Sequence, residues 1–204
     1  MTKQTEARQE EERGFKDLIR LARDLGATQA GAIRAERIVI EDRLAGFCKE
    51  PRCPNYGLSI NCPPHTKGPA GFRELIKGYE WALVFKIEVP SEIFFSSQRR
   101  ELFALLQETA AGLEQAAREM GFSRSKGFAG GNCKAVFCED KAQCRVLAGG
   151  ECRNPDRARP SMSGFGVDVT RLMEEAGWTL NRVNQEQKRN QGETGTLCGV
   201  ILIG

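Results

Sequence analysis

The stretch WALVFKIEV, Trp81–Val89, decides the architecture. It is rich in aromatic and β-branched residues, and Pro90 stops it, which predicts a buried strand. Outward from it on the N-terminal side, PAGFRELIKG (Pro69–Gly78) predicts a short helix with Phe72, Leu75 and Ile76 on its inner face. On the C-terminal side the longest helix is expected from about Ser97 to Met120. Leu102, Leu105, Leu106, Leu113, Ala117 and Met120 form its apolar stripe, and Gly121 ends it.

Further out, Phe15, Leu18, Ile19, Ala22 and Leu25 recur at helical spacing before Gly26, which predicts a first helix from about Glu10 to Leu25. AGAIRAERIVI (Ala30–Ile40) reads as one or two strand pieces, with Ile38, Val39 and Ile40 the strongest part. Asp168 is a good N-cap for a helix facing inward with Val169, Leu172, Met173 and Ala176, closed by Gly177. WTLNRVN (Trp178–Asn184) and TLCGVILI (Thr196–Ile203) are expected as an antiparallel strand pair around the polar loop QEQKRNQGETG. There is no internal repeat and no strict alternation of strand and helix. The expected fold is therefore α+β, a mixed or largely antiparallel sheet packed with helices, with irregular cysteine-bearing loops. One metal-binding domain is expected over residues 1–204, carrying a cysteine loop at 48–65 and a cysteine segment at 133–162.

The 204 residues are 40% hydrophobic and 28% charged, an ordinary globular balance. A chain of this length buries roughly 70% of its unfolded surface, so it needs no staples to fold. A net charge of +3 is too small to argue for nucleic acid or an anionic membrane as partner. The polar start MTKQTEARQEEERGFKD resembles no targeting peptide, and WALVF and GVILIG are too short to span a bilayer. A cytoplasmic location is expected. In that reducing compartment clustered cysteines bind metal or carry redox chemistry more often than they form disulfides.

Seven of the eight cysteines fall into two groups. Cys133, Cys138, Cys144 and Cys152 follow C-x4-C-x5-C-x7-C behind Gly130-Gly131. The residues between them are polar, unlike a core element with incidental thiols. Four thiolates suit zinc or a cubane iron–sulfur cluster. Widening gaps without a tight pair favour the 4Fe-4S cluster over zinc. In the other group, CKEPRCPNYGLSINCPPH (Cys48–His65), Cys48, Cys53 and Cys62 share eighteen residues with four prolines and the only histidine. The prolines stiffen the loop against helix and sheet, and NYG marks a turn between the second and third cysteines. Three thiolates leave a fourth position. His65 completes a zinc site, His65 or Cys198 completes a second cubane, or one iron stays open to substrate. Cys198 lies in the strand-like TLCGVILI and reads as an ordinary buried thiol.

CKEPRCPNYGLSINCPPH, the segment ending CRNPDRARPSM, and GVDVTRLMEEAGW together resemble a bacterial and archaeal family of cysteine-rich predicted metal-binding proteins of unknown function, domain-of-unknown-function family 2284. The resemblance runs from about Leu18 to the C-terminus. It implies metal, of iron–sulfur kind, at the seven motif cysteines, and leaves Cys198 outside them. It supplies no substrate.

Arg153, Arg157 and Arg159 follow Cys152 and are expected either to offset the negative charge of a thiolate-ligated cluster, to bind an anion, or to form an ordinary solvated stretch. No phosphate-binding loop and no serine–histidine pair occurs. The expectation is an iron–sulfur protein of an anaerobic or redox-specialised setting, passing electrons to a partner protein or reducing a small-molecule substrate at an open iron. The alternative is a non-enzymatic zinc-binding interaction module.

Overall fold

A computed structural model describes residues 3–51, 53–183 and 193–204, with the side chains of 3–11 left aside. Its centre is a four-stranded antiparallel sheet in the order β1-β2-β4-β3. The strands are β1 (Gln29–Arg34), β2 (Trp81–Pro90), β3 (Lys126–Phe128) and β4 (Thr194–Ile203). The expected α+β class with cysteine-bearing loops is what the chain adopts.

The sequence explains the layering. Along β2, Leu83, Phe85 and Ile87 point to one face while Ala82 and Val84 point to the other, and both sets are buried. A strand buried on both sides reads as the near-continuous apolar run that marked WALVFKIEV. Helices α1 (Lys3–Asp24) and α4 (Arg99–Glu119) cover the first face through Leu18, Ala22, Leu102, Leu106, Leu113 and Ala117. On the second face, beyond the five-residue α2 (Asp42–Gly46), α3 (Gly68–Ile76) contributes Phe72 and α6 (Val169–Glu175) contributes Leu172 and Met173. A 3₁₀ turn at Met162–Phe165 completes that layer. Phe72, Phe128 and Phe165 meet there with ring centroids 5.0–5.4 Å apart, two of the three pairs edge-on. Asp168 caps α6 as expected, accepting from the backbone of Thr170 and Arg171.

Three expectations are corrected. Ile38–Ile40 is not a strand. A 3₁₀ turn at Ala35–Arg37 follows β1, Ile38 drops into the core, and Ile40 makes only an isolated bridge to Val167. Secondly, WTLNRVN does not pair with β4 as a strand. Its described part, Trp178–Val183, is irregular and meets β4 where Asn181 accepts from Thr196 N at 3.0 Å. The neighbours of β4 are β2 and β3, and β3 is too short to announce itself in sequence. Residue 184 and most of the following polar loop lie outside the described residues. Thirdly, the four-cysteine segment is not wholly irregular, since it opens with the five-residue α5 (Cys133–Phe137).

Helix α4 locates that segment. Gly131 has φ +74°, and a Cβ there would lie 2.5 Å from the Phe103 ring, so the chain passes α4 only as glycine. The fully buried Gln107 side chain donates to Gly130 O at 3.0 Å and accepts from Arg159 N at 2.6 Å, clasping both ends of the segment. Arg159 also pairs with the buried Glu114 at 2.9 Å. Gln107→Leu keeps the volume but orphans one carbonyl and one N–H. Urea denaturation is expected to show a loss of about 1–3 kcal/mol, and an unchanged midpoint would show that the clasp does not matter.

Candidate metal centre

The cysteine loop at 48–65 is a chain of turns. Cys53 N donates to Cys48 O, Tyr56 N to Cys53 O, Cys62 N to Ser59 O and His65 N to Cys62 O. Gly57, at φ +78°, turns the chain so that its N–H reaches Pro63 O at 2.8 Å, which is the bend NYG promised. Cys48, Cys53 and Cys62 then line one cavity of about 110 Å³, together with Tyr56, Asn132 and Ser161. Cys48, Cys53 and Ser163 also border an open cleft of about 320 Å³ walled by Leu44, Phe47, Val167 and Val169. His65 is exposed and does not line the cavity; its Nε2 stands 3.3 Å from Gly57 O.

The second group is gathered by hydrogen bonds. Asn154 donates through its side chain to Cys138 Sγ at 3.3 Å and through its backbone to Cys152 Sγ at 3.4 Å. Cys144 and Cys152 both lie close enough to Cys133 for their charge to raise its pKa. Cys133 begins α5, whose N-cap Asn132 accepts from Lys134 N and Ala135 N.

The two groups adjoin. Asn132, which precedes Cys133, donates to Cys62 Sγ at 3.0 Å. Asn61, which precedes Cys62, donates to Cys133 Sγ at 3.5 Å. Between them Ser59 Oγ stands 3.3 Å from Cys133 Sγ; it accepts from Asn61 N, which frees its own proton for sulfur. Each asparagine thus serves the other group's thiol. The backbone N–H groups of Ile60, Leu147 and Val146 serve Cys144.

These contacts set the acidities. Burial pushes Cys62 up to about 11, against donors from Asn132 and Ser59. Burial likewise raises Cys133, against Ser59 and Asn61, and raises Cys48, where the neighbouring Cys53 adds to it. At Cys144 burial is outweighed by the three backbone donors and the charge of Arg153, so its pKa falls below the usual thiol value. Arg157 and Arg159 are drawn instead to Glu108 and Glu114 on α4, which leaves Arg153 as the cation of that trio acting on a thiol.

Among the described residues no three His, Cys, Asp or Glu side chains stand tightly enough to hold a metal ion as they are. The thiols are neighbours rather than a closed cage. Their chemistry nonetheless fits a thiolate-bound metal or cluster. Sulfur donors are supplied in threes and fours, and N–H or O–H groups are aimed at Cys62, Cys133, Cys138, Cys144 and Cys152. Sequence reading missed Ser59, Asn61, Asn132 and Asn154. For the asparagines the signal was their place next to cysteine in INC and GNC and two residues after it in CRN.

Cys198 stands apart, on β4 among Val200, Leu202 and Met162, and burial alone pushes its thiol up to about 12. No helix among the described residues is long and apolar enough to cross a membrane. A family model described as "Predicted metal-binding protein (DUF2284)" matches residues 31–203. No curated protein and no solved structure matches the chain.

The contrast between Cys198 and the half-buried motif cysteines is measurable. Burial keeps the Cys198 thiol protonated well above the pH at which an ordinary cysteine ionises. Iodoacetamide acting on native, reduced, metal-free protein is expected to modify the half-buried Cys48, Cys53, Cys138, Cys144 and Cys152 and leave Cys198 intact until denaturant is added. Mass spectrometry of the digest reads this directly, and early labelling of Cys198 would contradict its placement.

Proposed function

We propose, for a chain that belongs to the predicted metal-binding family DUF2284, that it is a cytoplasmic iron–sulfur protein built for electron transfer or for reduction of a small molecule. Cys133, Cys138, Cys144 and Cys152 would hold a 4Fe-4S cluster. Cys48, Cys53 and Cys62 would hold a second centre whose fourth position is not supplied by His65.

The observation that carries this reading is the set of N–H and O–H donors around the motif sulfurs. Polarised sulfur in a half-buried setting is what raises and tunes the potential of a thiolate-ligated cluster. Such a cluster supplies one-electron chemistry, and an iron with a free coordination position supplies a Lewis-acidic reducing site. The protein's own part is to set sulfur basicity through Asn132, Asn154, Ser59 and the backbone near Cys144. Arg153 adds positive charge beside Cys144, which favours the more negative, reduced state.

The cavity bordered by Cys48, Cys53 and Cys62 is far below the roughly 300–1,000 Å³ of a site for a drug-sized ligand. The adjoining apolar cleft gives the half-buried Cys48 and Cys53 a way out to solvent. A redox partner protein or a small substrate would approach there. The exposed His65, which does not line the cavity of the three thiols, speaks for iron over a three-thiolate zinc site that would recruit an imidazole.

Protein purified without oxygen is expected to be brown, with broad visible absorption and near-equal iron and acid-labile sulfide. Cys133→Ser and Cys144→Ser should each lose a large share of both, while Cys198→Ala keeps them. A colourless product carrying zinc would replace this reading with that of a zinc-binding interaction module.

A further inference from the structure

We propose that the two cysteine groups load their metal cooperatively, and that Asn132 is the positioning residue that couples them. This rests on the two-centre reading above and extends it to how the centres are filled.

A closed ring of bonds joins the two groups. Asn132 Nδ2 donates to Cys62 Sγ at 3.0 Å, while Asn132 Oδ1 accepts from Lys134 N at 2.8 Å and from Ala135 N at 3.0 Å. Those two bonds start α5, whose first residue is Cys133. Cys133 Sγ lies 3.3 Å from Ser59 Oγ, and Ser59 O receives Cys62 N at 3.1 Å. The ring therefore runs from the sulfur of one group to the sulfur of the other and back. Asn132 is 4% exposed and Ser59 is wholly buried, so neither has water to fall back on.

Metal turns each thiol into a thiolate, a stronger acceptor. With Cys62 loaded, the Asn132 amide bond becomes charge-assisted and fixes the side chain in the rotamer that caps α5. A five-residue helix cannot hold itself together, so its cap decides whether Cys133 is in place. In the other direction, a loaded Cys133 draws the Ser59 hydroxyl and, through its carbonyl, steadies Cys62. Linkage makes the effect reciprocal: whatever one centre gains from the other, it returns.

Asn132→Asp separates the two functions of the residue. The carboxylate still accepts both cap bonds, but it has no N–H for Cys62 and sets a negative charge against a thiolate. Ser59→Ala cuts the opposite link without touching Asn132. Metal-free protein of each kind would be titrated anaerobically with equal parts of ferrous and ferric iron and with sulfide in sub-stoichiometric steps, which supplies the cluster's iron oxidation states without a further oxidant, and followed by native mass spectrometry. In the wild type, empty and doubly loaded chains are expected to dominate throughout. In Asn132→Asp the singly loaded chain at half-loading should rise about fivefold, the change that loss of a roughly 100-fold coupling gives because that share varies as the inverse square root of the coupling factor, and Ser59→Ala should shift the same way. A wild type that passes through a statistical population of singly loaded chain overturns the proposal, as do variants that load as jointly as the wild type. Uptake of zinc alone would defeat the iron–sulfur reading and leave the coupling to be read from the same titration with zinc. No uptake of any metal overturns both.

Discussion

Sulfur from two loops some seventy residues apart is brought together at Cys62 and Cys133, and the rest of the molecule is arranged to make that meeting tolerable. A buried thiolate without a donor is costly, because the low-dielectric surroundings leave its charge unsolvated. The chain answers with asparagine and serine side chains that reach across from one loop to the other's sulfur. Neither loop is complete without its counterpart, so the site is a property of their docking rather than of either motif.

Docking in turn depends on the sheet and on α4. The turn at Met162–Phe165 packs its Phe165 against Phe72 and Phe128, and Ser161 just before it forms a parallel bridge with Ala129 at the end of β3. Ser161 N also reaches Asn61 O in the cysteine loop. On the other side, α4 holds the four-cysteine segment from Gln107 and Glu114, and Arg100 at its start bonds Val136 O and pairs with Glu139. The apolar core thus fixes a frame, and polar contacts on that frame fix the two loops. This division is physically sensible, since burial is non-directional while hydrogen bonds carry direction.

The legible and illegible parts of the sequence divide along the same line. β2, α3, α4 and α6 could be read because period and punctuation are local: the stripe on α4, the Asp168 cap, Pro90 after β2. The Ile38–Ile40 run misled because a short apolar β-branched stretch fills a core as well from an irregular chain as from a strand. WTLNRVN misled for the same reason, with Trp178 and Leu180 packed against the core without sheet pairing. β3, at three residues, lies below what periodicity can resolve. At the site, the cysteine groups and the NYG bend were local signals. The crossing of Asn61 to Cys133 and Asn132 to Cys62 was not, because it depends on how two distant loops meet.

Burial by itself does not distinguish a working thiol from a structural one. Cys62 and Cys198 are nearly equally hidden, at 7% and 5% exposure. Cys198 lies in the apolar core of the second face with Lys86 as its cross-strand partner, no donor among the described residues serves its sulfur, and burial acts unopposed on its pKa. Around Cys62 an amide and a hydroxyl work against the same effect. An aspartate in place of Asn132 would cap α5 as well, so the cost of burying the amide N–H is borne for the sulfur it faces. The chain bears that cost beside Cys62 and Cys133 and not beside Cys198. A buried amide is worth keeping where the sulfur it faces must carry negative charge, which is the condition of a metal ligand.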